Sequence, residues 1–421
     1  MADGDRRISI DDLAHPWLPW PIRAGNTLAR PFLGRLARFD ETELLEAARR
    51  RTGLADFGDG AFRTPLAVLL RALEREAHLT PLGCLMARQF LLQLLATRLR
   101  VEDLVRRHPE ILDEEIDAPI FILGLPRTGT THLHSLVAQD PALRSLPYWE
   151  SLEPVPPDGE RPKPGAVDPR RRRCERALRF QHWALPLFPM MHEMTSDAPH
   201  EEIQLLALAF STMLFETMYR VPSYRDWYKA HDQTGAYRYL RRALQMLQWL
   251  RGPRRWVLKS PQHLEQLGPL LAVFPGARIV QTHRDPLPVL ASLVTMTTYA
   301  LRLQSDGIDP RVTGHYWSTL LEDLLGAAVT QRPRVPPGQV MDVRFHEFMA
   351  DPLATTLRVL TFVGLPPGPA ARAAIERHLH AHPRGKHGTI AYRLADFGLD
   401  AAERRRALRG YQEFFDVPDE K

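Results

Sequence analysis

A chain of 421 residues, 44% hydrophobic and 25% charged, can bury a large core and has the composition of a soluble globular protein. A net charge of +5 is small for this length and its arginines are dispersed, which argues against a nucleic-acid partner, and two cysteines without CxxC spacing (Cys84, Cys174) argue against a disulfide framework or a thiolate zinc site. The charged opening MADGDRRISIDDL is unlike a signal peptide and no segment approaches about eighteen uninterrupted apolar residues, so a cytoplasmic protein without stable membrane insertion is expected.

In chain order, apolar residues recur at helical spacing from Thr64 to about Arg106, and Thr80-Pro81 divides the run into two helices. Pro119 to Leu123 reads as a buried parallel strand, as do Trp256 to Leu258 and Ala277 to Gln281, with a fourth at Gln339 to Val343. Pro154 to Pro169 reads as a surface loop, and the arginine run Arg170 to Arg173 beside it as solvated. Helical spacing returns between Glu201 and Leu250, where Tyr219, Tyr224, Trp227 and Tyr228 are either packing or an apolar entrance. The repeated strand-helix order predicts a doubly wound parallel sheet with ligands at the carboxyl ends of its strands. The Arg, Ala and Pro bias is that of a high-GC bacterial gene.

The first strand runs into Gly124-Leu-Pro126-Arg127-Thr128-Gly129-Thr130-Thr131 and then a helical pattern. Such a turn presents backbone N–H groups and the positive end of a helix dipole to an anion. Its glycine spacing is that of a nucleoside-triphosphate loop, but Thr130 stands where the lysine belongs. Arg127 instead supplies a fork suited to the oxygens of one anionic group.

FILGLPRTGTT resembles the 5′-phosphosulfate loop of the sulfotransferase superfamily, in the arginine-containing form of tyrosylprotein sulfotransferases and many bacterial members. RWVLKSPQHLEQLGPLLAVFPGARIVQTHRDPLPVLASL, from Arg255 to Leu293, resembles the family's second motif. The resemblance implies a P-loop-like three-layer α/β/α fold with a central parallel sheet, spanning 116–421, with a helical acceptor-side insertion around 150–250. Residues 1–115 are expected to form an N-terminal helical extension packed on that core. It also implies a donor, 3′-phosphoadenosine 5′-phosphosulfate (PAPS), a product, 3′-phosphoadenosine 5′-phosphate (PAP), no metal, and a small-molecule, lipid or glycan hydroxyl as acceptor.

By the same resemblance Pro126 to Thr131 hold the phosphosulfate, Arg284 and Ser292 hold the 3′-phosphate, and Lys259 neutralises charge on the bridging oxygen. Asp285 before Pro286 should cap the helix that carries Ser292. His132 stands where many members stack a Trp on adenine, and Arg384-Gly385-Lys386-His387-Gly388 is similar to the late basic loop over the 3′-phosphate. Pro261 replaces a familiar catalytic histidine. Glu150, 23 residues beyond Arg127, matches the base of tyrosylprotein sulfotransferases, while His200, Glu201 and Glu202 form a second group and His263 a third choice. Two alternatives stay open: a nucleotide kinase, which lacks its lysine here, and a non-catalytic relative, which Glu150 turned away from the donor would favour. Homo-oligomerisation is not legible.

Overall fold

The structure is a computed structural model that describes residues 7–8, 10–157, 159–160, 166–382 and 389–420. Five parallel strands form the central sheet in the order β3 (Leu143–Arg144), β4 (Arg255–Lys259), β2 (Ile120–Leu123), β5 (Arg278–His283), β6 (Val340–Arg344). A separate two-stranded pair joins β1 (Arg7–Ile8) to β7 (Thr389–Ile390). The four expected strands are present. The fifth, β3, has two residues, too few for any periodicity to show, and exists because it pairs with β4.

Side chains alternate across the sheet and separate two cores. Phe121, Leu123, Trp256, Leu258 and Ile279 face a large cluster that includes Leu66, Leu69 and Leu73 of helix Arg63–Arg75 and Leu91, Leu95 and Leu99 of helix Pro81–Arg107. Ile120, Ile122, Val257 and Val280 face a smaller one with Leu133, Leu136 and Val137 of helix Thr130–Val137. The result is a three-layer α/β/α fold with the helices of the first hundred residues sharing the larger core. The break at Thr80 is a cap, its hydroxyl accepting from the Gly83 N–H at 2.9 Å with Pro81 in the first turn.

Two expectations are corrected. Arg170 to Arg173 is not a solvated loop but the first turn of helix Pro169–Ala184. Arg170 is buried on Asp168 and the Glu153 and Pro154 carbonyls, and Arg173 pairs with Glu153 and Glu160. A local charge run cannot reveal such partners. The stretch after Glu201 is also broken into shorter pieces, because Phe210 takes a left-handed φ of 55° and ends the first. Among the aromatics of that region Tyr219, Tyr224 and Tyr228 are packing, each 1% exposed. No described helix is long and apolar enough to cross a membrane.

Candidate active site

The chain reverses direction across the sheet at β2, whose neighbours are β4 on one side and β5 on the other. Three carboxyl ends therefore lie side by side at the usual spacing of about 5 Å. Lys259 closes β4, Gly124 to Gly129 leaves β2 for helix Thr130–Val137, and Arg284 follows β5.

The loop's shape depends on its glycines. A Cβ on Gly124 would stand 2.1 Å from Thr282 Oγ1, and one on Gly129, at φ +85°, would press on Phe348 at 3.2 Å. Only glycine allows both close approaches. Thr128 Oγ1 is 2.7 Å from Thr282 Oγ1 and donates to the Leu125 carbonyl at 2.6 Å, tying the loop to β5. Thr130 is buried in the first turn of the helix and Thr131 is exposed; Pro126 is half-buried. Arg127 is held at φ 72°, a conformation unfavourable for its bulk and most often retained at functional sites.

Arg127 joins the two motifs read from the sequence. Its Nε donates to Ser292 Oγ at 3.0 Å and its Nη1 to the Met191 carbonyl, while its own carbonyl accepts from Arg284 Nη1 at 2.8 Å. Asp285 caps the Ser292 helix as expected, accepting from the Leu287 N–H at 3.0 Å. The other two nitrogens of Arg284 carry a carboxylate: Nε and Nη2 donate to Glu420 at 2.7 and 2.8 Å, with the guanidinium 4.0 Å above the Phe345 ring. The Glu420 N–H in turn donates to Asp285 at 2.7 Å. An acid from far along the chain thus already sits as an anion on the expected 3′-phosphate arginine.

At the other side, the Lys259 ammonium is 4% exposed and pairs with the Glu201 carboxylate, with Thr131 Oγ1 at 3.3 Å. Glu202 faces the opposite way. One of its oxygens accepts from the Lys259 backbone N–H at 2.8 Å and the other pairs with His263 Nε2, whose Nδ1 lies 2.6 Å from the Tyr237 hydroxyl. Burial raises the Glu202 carboxyl, but the His263 hydrogen bond and charge outweigh it and hold it below its ordinary value. Glu202 and His263 therefore brace the end of β4 from inside, and Glu201 is the carboxylate presented at the surface of the site.

Glu150 is not brought to Lys259. It is 2% exposed and spans Arg251 Nε at 2.8 Å and Arg144 Nη2 at 3.2 Å, beside the start of β4 rather than its end. His132 rests with its ring 5.3 Å from that of Phe348. Arg384, Lys386 and His387 lie outside the described residues.

Three buried histidines feel the charge of Lys259. Burial, then the Lys259 charge, lowers His134 to about 4; burial, then Lys259 and Arg127, does the same to His192; and His200, against Tyr148 at 4.3 Å, is pushed well below its ordinary value by burial and Lys259. All three are neutral at pH 7. His192 had no sequence motif to mark it. Because these folded-state values lie below the unfolded 6.5, the unfolded chain binds more protons as pH falls, and stability present above about 6.5 is lost toward 4. The expected result is a melting temperature that drops through that window, with the drop reduced in His192→Asn, measured by scanning calorimetry across pH.

Comparisons with known proteins bear on the family and the fold. The family model described as "Sulfotransferase family" matches residues 119–369. The solved sulfotransferase STF1 from Mycobacterium tuberculosis H37Rv is 33% identical, with a TM-score of 0.78 over 89% of this chain and 99% of that one. Sulfotransferase STF9 from Mycobacterium avium is 27% identical, with a TM-score of 0.80 over 90% and 98%. The omega-hydroxy-beta-dihydromenaquinone-9 sulfotransferase Stf3 of Mycobacterium bovis is 25% identical over 59% of this chain, which spans 63% of that relative's length. With more than half of its length matched, the chain belongs to the sulfotransferase family.

Proposed function

We propose that this protein moves a sulfuryl group from PAPS to a hydroxyl of a small-molecule, lipid or glycan acceptor, with Glu201 as general base. The observation that carries this reading is the row of three carboxyl ends, which sets Lys259 with Glu201, the phosphosulfate-type loop, and Arg284 with Ser292 side by side. The residues suit such a donor. The loop opens into the N-terminus of helix Thr130–Val137, where backbone N–H groups suit an anion, and Arg284 already carries a bidentate carboxylate in place of a phosphate.

When bound, the donor supplies the transferable sulfuryl group and a 5′-phosphate leaving group. The chain's own contribution is placement and charge. Loop N–H groups and Arg127 orient the anionic end, Arg284 and Ser292 anchor the other, and Lys259 offsets negative charge growing on the bridging oxygen. Glu201 then takes the acceptor's proton, its carboxylate standing beside Lys259. Glu150 is engaged by two arginines and is left out of this step. Stf3, by its name, acts on a hydroxylated menaquinone, so a hydroxylated lipid heads the acceptor classes for this chain. Residues 1–115 serve as the covering extension of the catalytic domain.

The test is incubation of the full chain with PAPS and a panel of lipid, steroid and sugar alcohols, with ATP and magnesium in a parallel arm. PAP release that depends on an alcohol is expected, and Arg127→Ala should abolish it. PAP binding without turnover on any acceptor would instead mark a non-catalytic relative, and binding of ATP alone would defeat the reading.

A further inference from the structure

Eleven large hydrophobic side chains are exposed on the described surface, and four of them fall within one short segment: Trp17 (55%), Trp20 (71%), Leu28 (78%) and Phe32 (64%). Single exposed apolar residues are ordinary, but a cluster containing two tryptophans and a phenylalanine is not. The segment includes helix Trp20–Ala29 and the turn Arg30–Phe32. At about 100° per residue Trp20, Arg23, Thr27 and Leu28 share one face, while Ile22 on the opposite face is buried.

The charge of the segment is one-sided. From 13 to 39 there is no Asp or Glu, and Arg23, Arg30, Arg35 and Arg38 are all exposed. None of the four forms an ion pair with a described residue, whereas most arginines near the site do. Helix Pro169–Ala184 makes a useful contrast. It also exposes Phe180 and Trp183 and leaves the exposed Arg172, Arg176 and Arg179 without an ion pair among the described residues, but it carries an acid, Glu175, pairs Arg171 and Arg173 with acids, and exposes two large apolar side chains where the first segment exposes four.

We propose that the exposed apolar side chains of this segment, Trp17, Trp20, Leu28 and Phe32, interspersed with Arg23, Arg30, Arg35 and Arg38, dock this protein onto an anionic lipid bilayer surface. Indole rings settle at the headgroup level, aliphatic and phenyl groups enter the acyl boundary, and unpaired guanidiniums meet lipid phosphates. The charge argument selects the occupant, since a purely apolar partner would leave four cations unmatched. Attachment is peripheral, with the helix lying along the surface. It is also firmly mounted: Asn26 accepts from the Leu82 N–H at 3.0 Å, and Asp12 pairs with Arg302 at 2.8 Å. Arg302 follows helix Pro286–Leu301, which Arg284 and Asp285 precede, so about 24 Å of helix separates this mount from the Arg284 end of the donor site. The surface would bring the enzyme to acceptors dissolved in the membrane, but its existence does not depend on the proposed reaction.

The full chain should co-sediment with vesicles of phosphatidylcholine and phosphatidylglycerol and much less with phosphatidylcholine alone. W17S/W20S/F32S should lose at least tenfold of that partitioning with melting temperature and PAP binding retained, and R23Q/R30Q should lose it by roughly fivefold per arginine. Three outcomes would overturn the proposal: no preference of the wild-type chain for anionic vesicles; equal loss in F180S/W183S with none in the tryptophan variant; or no vesicle binding together with a dimer in solution that W17S/W20S/F32S converts to monomer, which would make the face a contact between two copies.

Discussion

Glu201→Gln should lower kcat by about a hundred- to ten-thousand-fold while leaving the Kd for PAP unchanged, because the amide keeps the shape of the side chain and cannot take a proton. Glu201 is favoured on position: it is the carboxylate that reaches the Lys259 ammonium, which also donates to Thr131 Oγ1, at the carboxyl end of β4. Glu150→Gln provides the opposite signature. Its carboxylate neutralises Arg144, 11% exposed, and Arg251, 36% exposed, so losing the charge leaves a nearly buried guanidinium unmatched. Breaking a buried pair from one side costs about 3–5 kcal/mol, and the exposure of Arg251 puts this case near the lower figure. Thermal melting should fall while kcat per folded molecule holds. If the two variants exchange these signatures, Glu150 is the base after all and the pairing of Glu201 with Lys259 is structural.

Arg284→Ala is expected to weaken PAP binding by about thirtyfold to several thousandfold, since a bidentate charge-assisted contact to one phosphate is worth about 2–5 kcal/mol when one partner is removed. Glu420→Gln should act in the other direction. In the structure Glu420 takes two of the three Arg284 nitrogens and is held by Asp285 as well, so a phosphate has to displace a carboxylate. Removing its charge should tighten PAP binding and steepen its salt dependence, both measurable by isothermal titration. The double variant should bind as weakly as Arg284→Ala alone. Tightening that survives without Arg284 would mean that Glu420 acts through the general field of the site and not through this pair.

How much of this was legible in one dimension follows from the range of each interaction. Strands β2, β4 and β5 announce themselves because each is buried on both faces around a short apolar run, edge strand β6 shows more weakly because Asp342 interrupts it, and the turn after β2 is marked by glycines that no other residue can replace. Caps at Thr80 and Asp285 are equally local, each bonding an N–H two or three residues away. The order of those local signals was enough to point to the family and to put Lys259, the Arg127 loop and Arg284 at the carboxyl ends of neighbouring strands.

Partners were a different matter. Lys259 meets Glu201 across 58 residues, Glu150 meets Arg251 across 101 and Arg284 meets Glu420 across 136. At those separations nothing in the spacing says which acid reaches which cation, and so the carboxylate that spacing and resemblance favoured, Glu150, proved to be enclosed by arginines. The sequence by itself determined the strand ends and the anion loop, because backbone geometry and apolar burial act within a few residues. Only the tertiary structure decided which charges those ends hold, because desolvation and ion pairing depend on what packing brings within about 3 Å.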